Sequence, residues 1–110
     1  MSVRTEQNML KERVRSILLV DESTRNSDDK LYLAVINQIA WEKGLNPSEI
    51  SIANFLINRK MYGFPSYESV GRARRKWQEA DETLRADVNV EAMREIREGE
   101  YVEWATSTRN

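Results

Sequence analysis

Apolar residues recur along most of the chain at steps of three and four, the period of a helix with one buried face. Leu10, Val14, Ile17 and Leu18 mark a first helix from Thr5 or Glu6 to about Val20, with Lys11, Arg13 and Arg15 on its polar side. The stretch Asp21–Asp29, DESTRNSDD, breaks the pattern and reads as a connection, because short polar side chains compete with helical hydrogen bonds. Asn26 or Ser27 is placed to cap a second helix over about Asp28–Lys43, with Asp28 and Asp29 at its positive end. Leu31, Tyr32, Val35, Ile36, Ile39 and Ala40 give this helix a face broad enough for the centre of a core, and Trp41 flanks it. Gly44 stands where a helix ends in the left-handed conformation.

Asn46-Pro47-Ser48-Glu49 is the most specific local signal. Asn46 is an N-cap, Pro47 suits the first helical position, and Glu49 can reach back to the cap. A third helix is expected over 47–60, with Ile50, Ala53, Leu56 and Ile57 inward and Phe55 and Ile52 widening that face. Met61–Pro65, MYGFP, is a short turn. Ser66 then caps a fourth helix reaching about Arg85, with Val70, Ala73, Trp77, Ala80 and Leu84 on its apolar stripe. Asn89 is positioned to cap a last helix over roughly 90–98, which Gly99 is expected to end. No segment alternates with the period of a long strand. The reading is all-α: a single domain over 1–110 of four to five helices, with a core at 5–85. It includes a helix-turn-helix-like pair at 47–60 and 66–85, and an acidic C-terminal helix and tail at 86–110.

Charge sharpens the role of the fourth helix. Arg72, Arg75 and Lys76 fall off its apolar stripe, and Arg74 lies on the flank. Net charge is −1, but Arg59, Lys60, Arg72, Arg74, Arg75 and Lys76 face only Glu68 within 59–76, while carboxylates dominate 77–110. A helix with one side to bury and one cationic side can meet phosphates and base edges. An arginine-rich solvated face accounts for the same pattern. Tyr62, Phe64 and Tyr67 cluster at the preceding turn and read as a hydrophobic plug more readily than as a contact patch.

Composition then removes alternatives. At 40% hydrophobic and 32% charged residues, the 110-residue chain supports one small folded domain. It has no cysteine and no histidine, which excludes disulfides, thiolate and imidazole metal ligands and histidine acid–base catalysis. It has no glycine-rich phosphate loop. No apolar run approaches the roughly 20 residues of a membrane span, and the N-terminus lacks the uninterrupted apolar region of a signal peptide. The expectation is a non-enzymatic protein of the cytoplasm, without cofactor or metal.

Ser66-Tyr67-Glu68-Ser69-Val70-Gly71-Arg72-Ala73-Arg74-Arg75-Lys76 resembles the recognition helix of helix-turn-helix proteins. In that resemblance Val70 packs inward, and Ser66, Tyr67, Ser69, Arg72 and Lys76 lie near DNA, joined on the basic side by Arg74, Arg75, Arg59 and Lys60. More broadly, Arg25-Asn26-Ser27-Asp28, Leu31-Tyr32 and Pro65–Lys76 are similar to segments of small uncharacterised phage and prophage proteins of Gram-positive bacteria. This second resemblance implies a phage or prophage context and no settled activity; joined to the basic recognition-type helix, it leads to the expectation of a double-stranded DNA-binding regulator or replication accessory in a host cytoplasm. The alternative is a protein-binding module, such as a phage inhibitor of a host nucleic-acid enzyme. A palindromic DNA site would require a homodimer, for which Tyr101, Val102 and Trp104 are the candidate surface.

Overall fold

The computed structural model describes the backbone of residues 3–107 and the side chains of residues 8–97. Six helices follow one another: α1 (Val3–Val20), α2 (Ser23–Asn26), α3 (Asp28–Glu42), α4 (Ile52–Tyr62), α5 (Tyr67–Ala80) and α6 (Val88–Ser107). Single 3₁₀ turns lie at Pro47–Glu49 and Glu82–Leu84, and no strand occurs among the described residues.

The stripes read from the sequence meet where α1, α3 and α5 pack against one another. Val14, Ile17 and Leu18 from α1, Leu31 and Val35 from α3, and Val70 and Ala73 from α5 enclose Leu84. Val14, Leu18, Leu31, Val35 and Leu84 have no exposed surface, and each such burial contributes about 1.5–3 kcal/mol. A second cluster gathers around Phe64, with Ile36, Ala40, Ile50, Phe55 and Tyr62. Trp77 is only half-buried; its indole N–H donates to the Lys11 carbonyl (2.8 Å), and the Arg15 guanidinium lies over its ring. These contacts lock α5 to α1.

Local chemistry sets the boundaries. The Ser27 hydroxyl accepts from the Lys30 N–H (3.2 Å) and starts α3, whose end is followed by Gly44 at φ +72°. The Ser66 hydroxyl accepts from the Ser69 N–H (3.1 Å) and starts α5. Within the supposed connection after α1, the Asp21 carboxylate accepts from Ser23 and the Thr24 hydroxyl donates to the Asp21 carbonyl, which winds α2 into one short turn.

Several expectations are corrected. Asn46 caps only the Pro47–Glu49 turn; Ile50 is extended and packs toward Phe64, and a second cap, Ser51, starts α4. The facing of α4 is rotated: Ile50 and Phe55 pack inward as expected, but Leu56 and Ile57 are 69% and 80% exposed, Ile52 and Ala53 are exposed too, and Asn58 and Tyr62 turn inward instead. The Phe55 and Tyr62 rings pack on Phe64, and Asn54 links Asn58 to the Tyr62 hydroxyl. Next, α5 stops at Ala80, because Asp81 leaves the helix to cap Thr83, and Leu84 enters the core from its own turn. Finally, Asp87 rather than Asn89 caps α6, which runs past Gly99 to Ser107. Among the described residues the helices number six, not four or five; α5 packs on α1 and α3, whereas α4 has no extensive contact with any other helix and touches α3 through the Tyr32 and Phe55 rings.

Candidate nucleic-acid interface

The packing of α1 on α5 leaves an open cleft of about 670 Å³ between them, closed at one end by the turn from α4 to α5. Ser69, Arg72 and Lys76, one turn apart on α5, form one wall. Lys11 and Arg13 of α1 line it from the other side, and Lys43, just past α3, and Lys60 of α4 stand toward the closed end. Six cations from four parts of the chain therefore border one depression, over a base that includes Leu10, Ile39, Phe64 and Pro65.

One carboxylate borders the cleft, Glu42, and Arg13 engages it through two hydrogen bonds (2.9 and 2.7 Å). That bonding holds the Glu42 carboxyl below its ordinary pKa. Arg72 pairs with Glu68 one turn back on α5 (2.7 Å), both well exposed. Such a pair is worth only about 0.3–0.5 kcal/mol, so a phosphate can displace it. The Lys43 amine donates to the Tyr62 carbonyl. Lys11, Lys60 and Lys76 make no ion pair among the described residues.

The structure divides the expected site residues. Ser69, Arg72, Lys76 and Lys60 lie together in the cleft. Ser66 is spent on capping α5. Arg59 donates to the Phe64 carbonyl (3.0 Å) and clamps the turn. The Tyr67 hydroxyl donates to Asp29 (2.9 Å), and its ring meets Tyr32 edge-on, on the α3 side. Burial, then the bond to Asp29 and the nearby carboxylate charges, push the Tyr67 pKa up to about 12.

Arg74 departs most from expectation. It is 6% exposed and turned away from the cleft, with its Nε 2.6 Å from an Asp28 carboxylate oxygen and its Nη1 donating to Gln78. The Asp28 contact is a close ion pair rather than an aligned hydrogen bond. Arg94 of α6 approaches the same oxygen at 3.6 Å. Burial lowers the Arg74 pKa, while the Asp28 charge opposes that shift. Arg74 therefore serves the junction of α3, α5 and α6 and is withdrawn from the DNA-facing set. Arg75 is exposed, beside Gly71 and Asp28, apart from the cleft. The side chains of Tyr101, Val102 and Trp104 lie outside the described residues.

Lys11, Arg13 and Lys43 were missed by sequence reasoning. In sequence they look like the solvent side of one helix and the last turn of another, and only the packing of α1 and α3 around α5 brings them together. Among the described residues, no helix is long and apolar enough to cross a membrane. No protein-family model, curated protein or solved structure matches this chain.

Proposed function

We propose that the protein is a non-enzymatic DNA-binding protein that takes the phosphate backbone of double-stranded DNA along the cleft between α1 and α5. The observation behind this reading is the convergence of Lys11, Arg13, Lys43, Lys60, Arg72 and Lys76 against one carboxylate that is already paired. Cations drawn from separate elements form a patterned anion site, whereas a merely solvated helix face would carry its charges on one element. Bound phosphates displace condensed counterions, so affinity falls with salt in proportion to the number of phosphates engaged. In this reading Ser69, Arg72 and Lys76 of α5 lie nearest the bases, and Lys11, Lys43 and Lys60 fix the backbone. A regulator or accessory role in a phage or prophage rests on the resemblance of the Arg25–Asp28 and Pro65–Lys76 segments alone.

The test is the triple variant Lys11→Gln/Arg72→Gln/Lys76→Gln, titrated with duplex DNA over a range of salt. Affinity is expected to drop, and the slope of log affinity against log salt to flatten by roughly 0.9 for each phosphate left without its cation. Arg75→Gln, placed away from the cleft, is expected to stay near wild type. Unchanged affinity and slope in the triple variant would refute the reading. A stoichiometric, nuclease-resistant complex with an acidic host protein, weakened by salt and by the same triple variant while duplex DNA is not bound, would favour the protein-binding alternative.

A further inference from the structure

Unlike α2, α3 and α5, helix α4 contains no buried residue. Its inner side is half-buried through Phe55 and Tyr62. Its outer side carries Ile52, Leu56, Ile57 and Met61, exposed by 80%, 69%, 80% and 75%. Positions four apart adjoin on a helix, so these four form one continuous stripe, with exposed Ala53 between them. The stripe is a contiguous exposed apolar patch of the kind that marks an interaction surface rather than singly scattered hydrophobes. No carboxylate occurs between Glu49 and Glu68, so the stripe has exposed Glu49 before one end and exposed Lys60 near the other.

We propose that this face of α4 is a homodimer interface, in which two copies pack α4 against α4, antiparallel about a two-fold axis. A two-fold contact requires a surface complementary to itself. A charge-free apolar stripe with a carboxylate at one end and a cation at the other meets that requirement in the antiparallel sense. Lys60 of each copy then approaches the partner's Glu49, and the helix dipoles oppose. A parallel arrangement would bring Lys60 to Lys60. Ile52 also borders an apolar groove of about 310 Å³ between α3 and α4, lined by Leu33, Ile36, Ile50 and Phe55, which extends the surface on the same side. Lys60 also borders the cationic cleft, so in the dimer its charge is divided between the partner's Glu49 and that cleft.

Sedimentation equilibrium of the full chain without nucleic acid tests the proposal. At roughly 100 μM, about a hundredfold above a micromolar dissociation constant, the wild type is expected at twice the monomer mass. Leu56→Glu/Ile57→Glu is expected to sediment as a monomer with an unchanged helical circular dichroism spectrum, since both positions are exposed. Lys60→Glu alone should weaken the dimer severalfold at low salt, and Glu49→Lys/Lys60→Glu should restore it. A monomeric wild type, or a dimer that survives Leu56→Glu/Ile57→Glu, overturns the interface. A double charge swap that fails to restore overturns the antiparallel arrangement. DNA is absent from this experiment, so its failure is separable from failure of the cleft reading.

Discussion

Gly63 closes α4 at φ +80°, and the amine of Lys43 occupies the space that a β-carbon there would need. Gly44, at φ +72°, has nothing within 4 Å of the same position. Alanine at Gly44 should therefore cost only the left-handed backbone penalty, about 1 kcal/mol. Alanine at Gly63 should cost slightly more, about 1–2 kcal/mol, because the flexible Lys43 amine must also leave the exposed Tyr62 carbonyl for water. Urea midpoints of the two variants check the order; equal costs would show that the Lys43 hydrogen bond contributes nothing. Tyr67 offers a second residue-level test. The folded state holds its phenolic proton to a pKa of about 12, against an ordinary 10.0. Its contribution to stability is thus complete below pH 10 and is lost as pH rises toward about 12. Tyr67→Phe should make the alkaline decline of the urea midpoint shallower than in wild type without abolishing it, because burial raises the Tyr32 pKa as well. At this scale the sequence was legible where chemistry is local, as with the Ser66 cap and Gly44. Arg74 was not legible, since nothing in its neighbours separates it from Arg72; only Asp28, brought over by α3, makes it a buried partner.

Among elements, the Arg74–Asp28 pair carries the junction of α3, α5 and α6. Arg74→Ala leaves the Asp28 carboxylate with only Arg94 at 3.6 Å and deprives the Gln78 side-chain oxygen of its closest donor. The expected cost is about 3 kcal/mol. Combining it with Asp28→Ala should cost less than the two single changes added together, because both remove one interaction. Chemical denaturation of the four proteins of that cycle measures the coupling, and strict additivity would sink the assignment. The stripes of α1, α3 and α5 could be read because each has a single apolar side. The facing of α4 could not. It is apolar almost all round, so periodicity favours no side, and the choice falls to ring packing of Phe55 and Tyr62 on Phe64. The start of α4 was misplaced for a related reason: Asn46 and Ser51 are both competent caps, and the burial of Ile50 between them decides which one starts the long helix.

Across the whole molecule, a net charge of −1 conceals an ordered separation. The cleft cations lie on one side of α5, while α6 joins the other side through Arg94, which reaches the Arg25 carbonyl and Asp28. The sequence showed that the charges segregate along the chain; it did not show that α1 and α3 add cations to those of α5, which depends on long-range packing. The same architecture has a dynamic consequence. The cluster around Phe64 joins the central core through Tyr32 and Ile39 of α3, α4 itself holds no buried residue, and Asn58 interrupts its helical geometry at φ −111°. The helix is thus a cooperative unit of its own, able to open while α1, α3 and α5 stay closed. Amide hydrogen exchange should report an opening free energy for α4 well below the global value, and exchange of all helices at one rate would contradict it. If two copies cover this helix, its protection should climb with protein concentration while that of α3 stays constant, so that the lifetime of a single helix becomes a gauge of how much of the protein is present.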